Sequence, residues 1–233
     1  MPQPFDHATG AAAQARRVAL VTAGESGLGA AVVRALAAAG HAVAIHAHAA
    51  LDQARALADE LGAAGVPSLA VTADLRDEGP MRTLVHRVTD HFGRLDAVVA
   101  CAAVAHPCRL EDVTADDLRM HFDVGCVAAF VTAQEAAAVM VGQDSGGGIV
   151  LVGEDAAALP RVGRLPEAVA RGAMPALTRC LAAECAARNP LVRVNCVLPG
   201  SAASSFARVA HAVLFLLENE GVTGACLPVA HEA

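Results

Sequence analysis

The sequence predicts an α/β fold: a Rossmann-type doubly wound parallel sheet in a single domain. Three observations carry that expectation. Short apolar, β-branched runs alternate with helix-forming stretches along the whole chain after Arg17, the pattern of a parallel sheet covered on both faces. The first run, Val18 to Val21, opens into a turn crowded with Gly24, Gly27 and Gly29, and a breaker-free helical stretch follows from Ala30 to Ala39. Strand, glycine turn and helix in that order aim free backbone N–H groups at one point, as a phosphate cradle requires. Glycines also serve tight turns for steric reasons alone, so a bare structural turn stands as the alternative. Finally, no linker or repeat divides the 233 residues, a length that suits one full-sized core.

The remaining elements follow in order. His41 to Ala47 reads as a second strand, Leu51 to Leu61 as a helix, and Val66 to Thr72 as a third strand ending in Ala73-Asp74-Leu75. Asp77 to Phe92 is a helix, and Leu95 to Ala103 a nearly all-apolar fourth strand. Thr114 opens a long helix through Met140, with Asp116 and Asp117 in the first turn where the helix dipole favours them. Gly146 to Val152 is a turn and fifth strand, and Pro166 to Arg188 a second long helix. Leu191 to Leu198, Phe206 to Leu217 and Gly224 to Val229 complete the alternation as strand, helix and strand.

Composition excludes several classes. Hydrophobic residues make up 55% of the chain, with alanine the largest part, which suits close helix packing. No uninterrupted apolar run approaches the ~18 residues of a membrane span. Residues 1–15, with Pro2, Pro4, Asp6 and His7 and no apolar core, read as a disordered tail ahead of a domain at 16–233. Seven cysteines without a Cys-x-x-Cys pair point to a reducing, cytoplasmic setting. A net charge of −7 offers no basic face for nucleic acid. His46 and His48 share one side of a strand end but lack a third ligand, so they read as surface histidines and no metal is expected. Cys101, Cys126 and Cys196 read as small core residues. The chain contains no tyrosine, tryptophan or lysine, and all 17 of its Lys/Arg cations are arginine.

Several motifs stand in register along this frame: Thr22-Ala-Gly-Glu-Ser-Gly-Leu-Gly29, Ala73-Asp74-Leu75, Leu95-Asp96, Arg193-Val-Asn-Cys-Val-Leu-Pro-Gly200 and Val222-Thr-Gly224. On these the chain resembles the short-chain dehydrogenase/reductase family over nearly all its length. His46-Ala-His48 and Ala105-His-Pro-Cys-Arg-Leu110 keep the spacing of its pteridine reductase branch. The resemblance implies a nicotinamide cofactor held by Thr22, Gly24, Gly27, Leu28, Gly29 and Asp74. It also implies a catalytic tyrosine and lysine four residues apart, and those positions fall at Glu167 and Arg171. The family's active-site serine, or aspartate in pteridine reductases, falls at Glu154, and its helical asparagine at Gly125. The Asn-Asn-Ala-Gly turn has become Ala100-Cys101-Ala102-Ala103.

These departures shape the functional expectation. A reductase donates a proton as hydride arrives. Glu167 would have to carry that proton, and Arg171 four residues on offers it an ordinary helix-surface ion pair instead. Glu154 and Glu167 could alternatively form a two-carboxylate acid/base site, serving a reductase or lyase. At the cofactor site, Ala23 replaces the first glycine, no Lys or Arg follows strand two, and Glu25 adds a negative charge. Weak NAD binding or none is expected, and NADP binding is disfavoured. Ser201 to Ser205 leads directly into the next helix, leaving no room for the family's substrate-covering insert. The two long helices form the family's dimer face. Here they offer Val127, Phe130, Val131, Ala138 and Val139 on one, and Ala173, Leu177, Cys180, Leu181 and Ala182 on the other. The leading expectation is a pseudoenzyme, a non-catalytic subunit pairing with itself or with an active paralogue, without membrane or nucleic-acid partners.

Overall fold

The computed structural model describes residues 16–104, 106–154, 161–200 and 205–229. The expected tail at 1–15, Ala105 and most of the Ser201–Ser205 connection lie outside the described residues. Among the described residues there are seven strands: β1 (Val18–Thr22), β2 (Ala42–Ala47), β3 (Ser68–Thr72), β4 (Ala97–Ala100), β5 (Gly147–Val152), β6 (Val192–Pro199) and β7 (Cys226–Val229). They form one sheet in the order β3-β2-β1-β4-β5-β6-β7, with every neighbouring pair parallel. The expected doubly wound α/β fold is therefore what the chain adopts.

Among the described residues there are eight α-helices, most of them packed on the sheet: α1 (Gly27–Ala38), α2 (Leu51–Ala63), α3 (Glu78–Phe92), α4 (Ala115–Phe122), α5 (Ala128–Val141), α6 (Leu165–Gly172), α7 (Met174–Arg188) and α8 (Phe206–Glu218). Strand side chains alternate between two cores, as a two-residue period requires. Val18 and Leu20 join the layer under α3, α5 and α7, with Leu84, Met140 and Met174. Ala19 and Val21 join the layer under α1, α2 and α8, with Leu36, Leu57 and Leu216. Strands buried on both faces can be apolar throughout, which is why they were easy to see in the sequence.

Element ends shift by one to three residues at several places, and three segments depart further, each for a local reason. β4 is shorter than Leu95–Ala103. The Gln143 side chain takes the Leu95 N–H (3.0 Å) and carbonyl (2.8 Å), while the Thr22 hydroxyl accepts from Cys101 and Ala102 N–H. Those backbone groups are thereby diverted from the strand ladder. The helix opened by Thr114 has the expected start, a capping box in which Thr114 and Asp117 bond each other's backbone N–H. It then passes through a π turn, Asp123–Val127, between α4 and α5. The second long helix breaks at Ala173, between Gly172 and Pro175, where a residue without an N–H starts a new helix more easily than it continues one. The 27-residue run Ala115–Val141 is also long and apolar enough to cross a membrane by length and composition, against the expectation. Gln134 and Glu135 interrupt it, so it is no continuous apolar string, and half of its most apolar window is buried inside the protein.

β6 and α8 are tied by one side chain. The buried Arg193 guanidinium donates from Nη1 to the carbonyls of Leu216 (2.8 Å) and Asn219 (2.9 Å), and from Nη2 to Leu217 (2.6 Å). It thus satisfies the otherwise unpaired carbonyls at the end of α8 with a favourably placed positive charge. Replacing Arg193 with Lys keeps the charge but loses the planar fork. Urea denaturation of Arg193→Lys is expected to show a loss of about 2–3 kcal/mol, the scale of charge-assisted bonds removed from a buried site.

Candidate active site

The strand order reverses between β1 and β4, and a crevice opens at the carboxyl ends of strands at such a point. The glycine turn forms one wall. Ala23 adopts φ +50°, the only non-glycine in the left-handed region among the described residues, so the turn keeps the conformation a glycine would give it. Its N–H donates to Nδ1 of His46 at 3.2 Å, and the Gly24 N–H donates to the His46 carbonyl at 2.8 Å. Gly27 sits at φ +53°. At Gly29 a Cβ would stand 1.9 Å from the Ala23 carbonyl oxygen, so only glycine lets α1 approach the turn this closely. Ser26 caps α1 without a side-chain hydrogen bond, leaving the first-turn amides open to an anion. Leu28 contributes backbone only, its side chain packing on the core beneath α1. These residues fit a dinucleotide diphosphate.

A cavity of about 260 Å³ continues from the turn, lined by Glu25, His46, His48, Asp74, Arg76 and Ala102 among others. Asp74 is gripped by Arg76, with Nη2–Oδ2 at 2.7 Å and Nε–Oδ1 at 3.0 Å, and also accepts from the Arg76 N–H. The Arg76 guanidinium, then its N–H, hold the Asp74 carboxyl well below the usual carboxylate range. His48 stands 3.7 Å from Asp74. One carboxylate oxygen of Glu25 is buried and has no hydrogen-bond partner among the described residues.

On the far side of β4 lies a second group of charges. Glu154, just past β5 and 5% exposed, pairs with Arg161, while its Oε2 has no hydrogen-bond partner among the described residues. Glu167 in α6 is 8% exposed. It is engaged by Arg164 at 2.8 Å and more loosely by Arg171 at 3.8 Å. The Glu167–Arg171 pair expected on a helix surface is therefore buried, and the nearer partner is Arg164, one turn earlier. Arg171 also donates to the Val152 carbonyl at 3.5 Å. Burial pushes the neighbouring Cys101 thiol up to about 12, against the opposing pull of Arg171. Gly125 lies buried in the π turn, where a Cβ would sit 3.6 Å from that of Ala170 in α6.

A model of the short chain dehydrogenase family matches residues 17–212. This chain belongs to that family. Versicolorin reductase of Emericella nidulans is 31% identical over 188 residues, covering 79% of this chain and 69% of the relative. The 2,3-dihydro-2,3-dihydroxybenzoate dehydrogenase of Bacillus subtilis is 30% identical over 186 residues, with the same coverage of 79% and 69%. Among solved structures, a short chain dehydrogenase from Burkholderia cenocepacia in complex with NADP shares 31% identity at TM-score 0.84, over 93% of this chain and 96% of that one. A blue fluorescent protein from a metagenomic library, in complex with NADPH, shares 31% identity at TM-score 0.82, over 91% and 96%.

Solved structures this similar to the chain hold NADP or NADPH, which overturns the expectation that NADP binding is disfavoured. No Lys or Arg directly follows β2 in the sequence. In the folded chain a cation reaches that region from beyond β3, as Arg76 beside His48. His46, expected on the surface, is instead buried with both ring nitrogens bonded to the backbone, so it has no lone pair to spare for a metal. Arg164 could have been found from its three-residue spacing to Glu167. Arg161 and the burial of His46 carry no local signal. Replacing Glu167 with Ala would leave Arg164 and Arg171 without their counter-charge. A loss of about 3 kcal/mol in unfolding free energy is expected, whereas a surface pair would cost well under about 1 kcal/mol.

Proposed function

We propose that this chain is an NADP(H)-binding short-chain dehydrogenase homologue that lacks the family's proton relay and acts as a non-catalytic subunit of an oligomer. One observation carries the reading. At the positions that the resemblance gives to tyrosine and lysine, Glu167 and Arg171 are tied into a buried ion-pair group with Arg164. Neither tyrosine nor lysine occurs anywhere in the chain. Bound NADPH supplies hydride in this family. Here the amides of Gly27, Leu28 and Gly29 would hold its diphosphate, the Asp74 cavity its adenosine, and Arg76 would bring positive charge to its 2′-phosphate. The spacing of His46–His48 and of residues 105–110 supports a place near the pteridine reductase branch. Free thiols at all seven cysteines suit a cytoplasmic setting.

A second reading keeps an enzyme. The Oε2 of Glu154, without a hydrogen-bond partner among the described residues, could accept a proton from a substrate, with Glu167 at the position the resemblance gives to the family's acid. Turnover separates the two. NADP⁺ binding is expected by calorimetry, without oxidation or reduction of ketone, alcohol or pteridine substrates. Turnover that disappears in Glu154→Gln and Glu167→Gln would establish the enzyme instead.

The oligomer rests on an outward stripe of α5. Val127 (41% exposed) and Phe130 (37% exposed) stand there with Ala138. Cys180 is exposed on α7, with Leu177 and Leu181 half-buried beside it. Val131 and Ala182, expected on this face, turn into the core, and Ala173 marks the helix break. Two copies joined about a two-fold axis would cover the stripe in an isologous contact. Light scattering should find a dimer or larger assembly for the unmodified chain and a monomer or aggregate for Phe130→Arg with Leu181→Arg. A monomeric unmodified chain at micromolar concentration would remove the subunit reading.

A further inference from the structure

Beneath the glycine turn, His46 is 1% exposed and makes three backbone contacts at once. Its Nδ1 accepts from the Ala23 N–H at 3.2 Å, its Nε2 lies 3.1 Å from the Ala73 carbonyl, and its own carbonyl accepts from the Gly24 N–H at 2.8 Å. A carbonyl only accepts, so the proton must be on Nε2, and an amide N–H only donates, so Nδ1 must be bare. Both ring nitrogens are thus assigned, and one neutral tautomer satisfies them. The contacts join the end of β1 to the residue immediately before Asp74, across β2. They also hold Ala23 in its left-handed conformation, which a non-glycine residue resists.

We propose that His46 is the positioning residue of the nucleotide cleft: its neutral Nε2–H ring sets the distance between the glycine turn and the Asp74 loop, and protonation at Nδ1 releases that setting. The effect on nucleotide rests on the NADP(H)-binding reading given above; the effect on the turn does not. A proton on Nδ1 would set a donor against the Ala23 N–H donor and place a charge in a buried site. Burial, opposed by the bond to Ala73, holds the ring below the ordinary imidazole value, with His48 adding a further downward push. The other titratable or charged groups on the cavity are Glu25 from the turn, and Asp74 and Arg76 from beyond β3. The sign follows from a lowered value in the folded state. The contacts are intact at and above the ordinary imidazole value of about 6.5; the stability they confer declines as pH falls below it, and the contacts themselves are lost as pH falls through the ring's own lowered value.

The side chains that copy each nitrogen separately give the test. Asn places a carboxamide oxygen near the Nδ1 position, where it can accept from Ala23 and cannot protonate. Gln reaches the Nε2 position and leaves Ala23 unpaired, and Leu offers neither. NADP⁺ affinity of the unmodified protein is expected to hold from about pH 8 to about pH 6.5 and to fall as pH is lowered further, through the ring's depressed value. Comparison with His46→Asn subtracts the titration of the 2′-phosphate itself. His46→Asn should hold near-normal affinity at the high end with a shallower pH slope, whereas His46→Gln and His46→Leu should lose roughly tenfold. Without nucleotide, nitrogen-15 NMR of the unmodified protein should show the Nε2–H tautomer, and hydrogen-exchange protection at Ala23, taken relative to the intrinsic amide rate at each pH, that falls on acidification. An Nδ1–H tautomer, an unchanged slope in His46→Asn, or full affinity in His46→Leu would overturn the proposal. Absence of NADP⁺ binding alongside the expected NMR behaviour would remove the nucleotide reading and leave the role of His46 in the turn supported.

Discussion

The carboxyl edge of the sheet depends on how closely α1 approaches the end of β1. The space a side chain would need at Gly29 is already filled by the Ala23 carbonyl. That contact brings the first turn of α1 under the glycine loop and forces Ala23 into the left-handed region. The chain offsets the cost through the N–H bonds from Ala23 and Gly24 to His46. Because His46 also reaches Ala73, the strand order around β1, the cradle and the Asp74 cavity form one mechanical unit. The Thr22 hydroxyl extends it across the crevice to the end of β4.

The fold was legible because a parallel sheet buried on both faces leaves uninterrupted apolar strands, and two of the helices between them, α3 and α4, carry side-chain caps. Thr114 with Asp117, and Asp77 with the Gly79 N–H, are short-range signals of this kind. The cradle was legible for the same reason, since Gly27 and Gly29 answer to local geometry. What escaped was long-range. His46 sits in a strand of small and apolar residues, and nothing nearby shows that Ala23 and Ala73 lie on its two nitrogens. Arg76 enters the nucleotide region from a loop that follows a different strand from the one searched. Glu167 looked like one end of a surface pair because the packing that buries it comes from outside its own helix. Charges far apart in sequence are placed by tertiary structure, and pattern alone cannot place them.

Membership of the short-chain dehydrogenase family and the buried ion pairs around Glu154 and Glu167 draw on the chain in different ways. The sheet, the glycine turn and Asp74 are in keeping with relatives that are reductases and dehydrogenases. The group formed by Glu154, Arg161, Arg164, Glu167 and Arg171 has the character of a structural charge network, with carboxylates facing guanidiniums. Such a network ties the segment before α6 to the end of β5. Stability and chemistry would then make competing demands on the same few side chains.

The π turn at Asp123–Val127 adds a quantity that neither packing nor chemistry describes: angular phase. In an α-helix each residue advances by about 100°, so an extra residue accommodated in a π turn rotates everything downstream relative to everything upstream. α4 and α5 are thus two segments of one rod, offset in azimuth by a single turn that also holds Gly125 against Ala170. The direction in which Val127 and Phe130 face solvent is set there. A one-residue deletion in this turn would act as a gear slip, swinging the α5 stripe round by about a quarter of a revolution while every strand stayed in register.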